Sequence, residues 1–206
     1  MVRVRAVGRF GIIVPSMNHQ PRHVERALQE RVRIVPYDPA WPASFAAEAA
    51  HLRQLLPAEL IGRIEHFGST AVPGLAAKPV VDMLLEVRLM ASVAQHIAPA
   101  LKREGYEFFW RGRESGLPGI GYAWFIKRDA AGKRTHHIHC LEPGSREWER
   151  LLFRDYLRMN PAVAQAYGEL KQRIASEHPD DRVAYAKAKT DFIAGVMRVA
   201  RKEAGG

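Results

Sequence analysis

The chain has 206 residues, 47% hydrophobic and 26% charged, the balance of a soluble globular protein of one domain, with or without a small appendage. A single cysteine, Cys140, excludes an internal disulfide and any compositional sign of secretion, and no apolar run of about 18 residues exists to cross a membrane, so a cytoplasmic location and no membrane partner are expected. The net charge of +9 favours an anionic partner, and without interleaved aromatic and basic residues that partner is a nucleotide or phosphorylated small molecule rather than nucleic acid.

Residues 1–31 fit the remainder poorly and are read as an N-terminal extension, either a loose arm or a short solvated helix over 22–33; residues 32–206 form the main domain. The apolar run at 1–14 has its arginines spread out and no small-residue cleavage site, which argues against a signal peptide; Met17 is an alternative start. A short strand is expected at 32–36. Asp38-Pro39 and Trp41-Pro42 then open an amphipathic helix through Phe45, Ala49, Leu52 and Leu56, because proline suits a first helical turn and aspartate caps one.

A strand over 61–67 feeds the tight turn Gly68-Ser69, one short helical turn, and a second strand over 80–87. Side chains alternate across a strand, so Val81, Met83, Leu85 and Val87 share one face while Val80, Asp82, Leu84 and Glu86 share the other. An acid thus sits inside an apolar strand. Gly68 permits backbone conformations closed to other residues, and Ser69 brings a hydroxyl to free N–H groups at a helix start, a natural anion holder. A phosphate holder beside a buried acid points to metal-assisted phosphoryl chemistry.

Beyond it, a helix over 91–104 stops at Gly105, and strands follow at 106–110, 122–128 and 134–141, with a loop at 111–121 placed to lie over a site and a hairpin tip at 130–132. Ser145 caps a helix over 146–158 with the stripe Trp148, Leu151, Leu152 and Tyr156; Pro161 opens another to 177 with Val163, Ala166, Leu170 and Ile174 inward; Asp180 or Asp181 caps a last one with Tyr185, Phe192, Ile193 and Val196 inward. The fold class expected is mixed α+β, a central mixed sheet with flanking helices and a helical C-terminal part.

A second constellation is His136-His137-Ile138-His139-Cys140. Parity turns Ile138 and Cys140 to the core and aims His137 and His139 at a cleft, about 7 Å apart, close enough to share one metal or ligand. Imidazole suits zinc, iron, nickel or copper better than magnesium.

The Gly68-Ser69 turn, its twelve-residue spacer and Asp82 resemble the signature of the nucleotidyltransferase superfamily that includes DNA polymerase β. More closely, residues 67–79 are similar to the GrpB-like family, a branch of that superfamily, as are the pieces at 35–41, 136–139, 142–145, 153–158 and 186–189, together spanning about 32–199. The resemblance implies a nucleotidyltransferase-like central sheet, a bound nucleotide or other phosphorylated ligand and a divalent cation, magnesium or manganese, with zinc as the ion the histidines favour. It implies Asp82 and Glu86 as catalytic acids; Gly68, Ser69, Thr70, Lys78, Arg154 and Lys187 as ligand contacts; and Asp82, His137 and His139 as metal ligands. Arg154 has Asp155 and Glu149 as alternative partners, and Lys187 and Lys189 fit a solvated helix face equally.

The sequence departs from the superfamily at the second acid slot, which holds Leu84. Glu86 is about 13 Å from Asp82 along the strand, too far to share an ion with it, and is expected in a separate role such as a salt bridge. Three readings follow: a nucleotidyltransferase-like enzyme acting on a small molecule, a non-catalytic ligand-binding module on that fold, and a His/Asp metal-dependent hydrolase.

Overall fold

The computed structural model describes residues 30–111 and 122–205. The expectations for residues 1–29 and for the loop at 112–121 lie outside the described residues. Helix α1 (Trp41–Leu55) leads into β1 (Ile61–Phe67), a single 3₁₀ turn (Ser69–Ala71) and β2 (Val81–Val87). Helix α2 is built of three pieces, Met90–Ser92, a wider π turn Val93–Ile97, and Ala98–Arg103. Pro99 explains the interruption: it has no N–H to give to the helical ladder, so the turn ahead of it widens.

The strands β3 (Glu107–Arg111), β4 (Tyr122–Arg128) and β5 (Arg134–Leu141) complete a five-stranded sheet of order β1-β2-β5-β4-β3. Every neighbouring pair is antiparallel except β2 and β5, which run parallel in register Asp82 with His137 and Leu84 with His139. A parallel pair needs a long crossover, and the chain from α2 through β4 supplies it. The strand expected at 32–36 is reduced to one bridge, Val35 with Ala77, because Pro36 follows at once and has no N–H to extend a ladder.

One face of the sheet is the core. Met83, Leu85, Val87, Phe125, Ile138 and Cys140 are wholly buried there against Leu52 of α1 and Ile97 and Leu101 of α2. Burial pushes the Cys140 thiol up, out of nucleophilic range. The opposite face carries Asp82, Leu84, His137, His139 and Leu141, and the C-terminal helices cover only part of it.

Those helices are α3 (Arg150–Met159, preceded by a 3₁₀ turn Arg146–Glu149), α4 (Pro161–Glu177), α5 (Arg182–Lys187) and α6 (Thr190–Ala204). Ser145 caps the 3₁₀ turn by accepting from the Glu147 N–H, and Asp181 caps α5 by accepting from Val183 and Ala184. The single last helix expected from the sequence is thus two, broken at Ala188 and Lys189. Helix α4 turns inward near its expected side: Ile174 is buried and Val163 and Leu170 are partly buried against the core, Ala166 is exposed, and Ala164, Tyr167, Gly168 and Lys171 are buried as well. The inward stripe contains a lysine, which a search for apolar periodicity passes over.

Candidate functional site

Register builds the floor of the site. Phe67, the last residue of β1, pairs with Asp82, so the chain leaving β1 turns directly over the Asp82 carboxylate. Gly68 makes that turn at φ +72° and ψ −169°, a region essentially restricted to glycine, and a Cβ placed there would lie 2.7 Å from Asp82 Oδ2. Gly68→Ala is therefore expected to cost roughly 1–3 kcal/mol in backbone strain, lowering Tm by about 2–4 °C per kcal/mol, and to displace the carboxylate. Calorimetric melting and cation titration of the variant check both.

Parallel pairing with β5 sets the imidazoles beside that acid. Asp82 Oδ1 is 3.0 Å from His137 Nδ1, and His137 Nε2 is 3.4 Å from Arg134 Nη1. Arginine can only donate, so Nε2 accepts and Nδ1–H donates to Asp82. His137 and His139 stand edge to face with centroids 6.2 Å apart, and one ligand atom from each of Asp82, His137 and His139 lies within 4.8 Å of the others. Two ligands at right angles on one ion at about 2.1 Å stand about 3 Å apart, so the Asp82–His137 spacing matches a shared cation.

Burial opposes ionisation of Asp82, but the His137 hydrogen bond and the neighbouring Lys78 outweigh it and hold the carboxyl well below the usual range. Burial lowers the His137 pKa against the pull of Asp82. The pair at neutral pH is thus a carboxylate with a neutral imidazole. The Asp82 side chain remains 27% exposed, so the hollow is open to a ligand.

Lysines close the hollow from the helical side. Lys78 Nζ and Lys189 Nζ lie 5.7 and 4.5 Å from the ring centre of Tyr185, and Lys171 Nζ lies 4.8 Å from that of Tyr167 while donating to the Ala76 carbonyl. Ring faces offset part of the cost of burying an ammonium. Burial, against the pull of Asp82, brings Lys78 down to about 7. Burial, with Lys189 and Lys78 nearby, brings Lys171 to about 7 as well. Lys189 is lowered by burial, with Asp82 opposing. Lys78 and Lys189 set two ammonium groups by the Asp82 carboxylate, with Lys171 wholly buried beside them at the Ala76 carbonyl, and make the hollow suited to an anion.

The remaining expected residues are placed differently. Ser69 is half-buried at the head of the turn, but Thr70 is buried with its hydroxyl 3.0 Å from His66 Nε2. Arg154 gives its guanidinium to Asp155, Glu65 and the His66 carbonyl, which fastens α3 to β1. Glu86 lies 3.2 Å from Arg63, over Gly62, whose Cβ would strike it, and is not in the metal-ligand cluster. Lys187 is exposed, whereas Lys189, two residues on, turns toward Tyr185. Lys171 was not legible as a site residue, its only signal being its place between Tyr167 and Ile174 on the inward stripe.

Leu84 stands where a second acid would be. It is wholly buried in a cluster with Phe67, Leu141 and Trp148, under the start of the C-terminal helices. That slot is closed to water and to an ion.

A family model described as GrpB protein matches residues 31–199. The UPF0157 protein PA4798 of Pseudomonas aeruginosa is 39% identical over 179 residues, 83% of this chain and 68% of its own length. The UPF0157 protein YqkA of Bacillus subtilis is 40% identical over 166 residues, 80% of this chain, which spans only about half (46%) of that relative. A crystal structure of the protein GrpB from Enterococcus faecalis superposes with a TM-score of 0.72 at 38% identity, covering 84% of this chain and 100% of the other.

Proposed function

The chain belongs to the GrpB family, and from that membership we propose that it binds a nucleotide or another phosphorylated small molecule through one divalent cation held by Asp82, His137 and His139. The observation that carries this reading is the convergence of one carboxylate and two imidazoles within 4.8 Å, beside the ammonium groups of Lys78 and Lys189. Two nitrogens and one oxygen favour manganese or zinc over magnesium. A cation there would neutralise phosphate charge and polarise a phosphoryl oxygen.

The chain's own groups have separable tasks. Gly68 keeps the backbone off Asp82 so that a ligand can approach. The lysines bind phosphate oxygens. His137 Nδ1 holds a proton against Asp82 in the free protein while its Nε2 accepts from Arg134, and with Asp82 and His139 this imidazole would hold the cation, which would supply charge neutralisation to a bound phosphate. The reaction class that fits these parts is nucleotidyl transfer to a small molecule, with the nucleotidyltransferase superfamily as the source of the architecture. Burial of Leu84 favours a second reading, ligand binding without turnover, because a two-metal centre needs ions about 4 Å apart and the position for the second acid is sealed.

Titration calorimetry with manganese and a nucleoside triphosphate tests the site. Nucleotide binding that manganese tightens, with that gain lost at least tenfold in His139→Ala, supports it; equal binding in both proteins contradicts it. Incubation with a nucleotide and metabolite mixture followed by mass spectrometry separates the two readings, since a nucleotidylated product excludes the second.

Anion affinity should also depend on pH. Lys78 sits at about 7 in the free protein, so its ammonium charge is present below that pH and lost above it. Between pH 7 and 9 a terminal phosphate is already ionised, and nucleotide affinity without metal is expected to fall by about tenfold or more. A flat profile, measured by the same titration, would remove Lys78 from the site.

A further inference from the structure

A second cavity, of about 390 Å³, opens between the β4–β5 hairpin, the segment around residues 30–33 and the start of α5. Seven of its twelve lining residues are arginine or lysine and one is acidic. On its floor three guanidiniums converge on one carboxylate. Glu30 Oε1 is 2.5 Å from Arg128 Nη1, and its Oε2 is 2.5 Å from Arg134 Nε and 3.8 Å from Arg182 Nη2. Arg182 Nε also donates to the Glu30 carbonyl at 2.8 Å.

The cluster is built and not a chance surface patch. The Arg128 and Arg134 side chains are only 9% and 7% exposed, which is rare for arginine without matched partners. Arg128 Nε lies 3.1 Å from Glu107, yet its Nη2 is buried and finds no hydrogen-bond acceptor among the described residues. Arg128 thus keeps a buried charged donor unmatched among the described residues, which is costly. An anion with several oxygens in tetrahedral array would meet these forks in pairs. Arg33 and Lys133 stand exposed at the rim, where they attract such a ligand.

We propose that this cavity is a second anion subsite that takes a phosphomonoester or diphosphate group of a small molecule, with Glu30 as a built-in counter-ion that withdraws when the phosphate enters. The volume lies in the range of small-molecule sites and is too confined for a nucleic-acid strand. Lys78 lines this cavity and also faces Asp82, so the two sites are neighbours. The subsite needs no cation, and its occupancy is told apart from anion binding in the Asp82 hollow through Lys189, which faces Tyr185 by the hollow and does not line this cavity.

Titration of the full chain with pyrophosphate in EDTA tests the subsite. In Lys189→Ala, which weakens anion binding in the Asp82 hollow, one equivalent is expected to remain, about tenfold tighter when Glu30→Gln removes the competing charge, and about tenfold weaker or more with Arg182→Gln. Lys133→Ala changes only the exposed rim, cannot upset the core, and is expected to weaken binding severalfold. Glu30→Gln leaves the arginines under-neutralised, so it should melt lower alone and regain the difference with pyrophosphate. No binding, or equal binding in the wild type, Glu30→Gln and Lys133→Ala, overturns the proposal. So does binding abolished by Lys189→Ala but indifferent to Lys133→Ala, which would put the anion in the Asp82 hollow.

Discussion

Asp82→Asn is expected to lose divalent-cation binding by at least about 100-fold while remaining folded. The substitution keeps shape and volume but removes the charge, and losing a group that merely hydrogen-bonds to a metal ligand costs about 10–100-fold in metal affinity, so loss of a coordinating carboxylate should exceed that. Nucleotide affinity in the presence of manganese falls with it. In metal-free buffer the sign reverses for a simple anion: Asp82 is the acid whose charge pulls on Lys78, so pyrophosphate should meet less competition in the hollow of the variant. Calorimetric titrations with and without manganese check both signs. An Asp82→Asn protein that binds manganese as the wild type does would leave the histidines without a partner and the cation reading without support.

Leu84→Asp tests how far the superfamily pattern extends into this chain. On the pattern alone the substitution restores the acid pair and should recruit a second ion. The packing predicts the opposite, because residue 84 is wholly buried among Phe67, Leu141 and Trp148. Removing a buried leucine costs about 2–5 kcal/mol, and a carboxyl with no partner in that cluster adds a further penalty unless it stays protonated. The sum approaches the whole stability of a typical domain, about 5–15 kcal/mol. Since burial raises the folded-state pKa of such a carboxyl, its destabilising effect is smallest below the unfolded value near 4 and grows as pH rises. Urea unfolding at pH 4 and pH 7 should show this, and Leu84→Met, which conserves volume, should lose less than about 1.5 kcal/mol. A stable Leu84→Asp protein binding two manganese ions would contradict the account.

Parity made the sheet face of the site legible. Alternation in β2 separated Asp82 from its apolar neighbours, and alternation in β5 separated His137 and His139 from Ile138 and Cys140; parallel pairing then set the two strands side by side. What parity does not give is the helical wall. Lys171 is hidden because an inward lysine breaks the apolar count, and only the 3.6-residue spacing from Tyr167 to Ile174 marks its face. The choice between Lys187 and Lys189 depends on where the last helix breaks, a matter of tertiary packing. Glu30 and Arg182 lie far in sequence from the hairpin that carries Arg128 and Arg134, so the convergence becomes visible only when the β4–β5 hairpin and α5 are in place.

The central claim is that one cation and a phosphorylated ligand meet at Asp82. Crystals soaked with manganese and a non-hydrolysable nucleoside triphosphate, with data collected at the manganese edge, test it most directly. The account predicts one anomalous peak within bonding distance of Asp82, His137 and His139, with phosphate density extending toward Lys78 and Lys189. Two peaks along β2, or a nucleotide bound elsewhere with no manganese at Asp82, would contradict it.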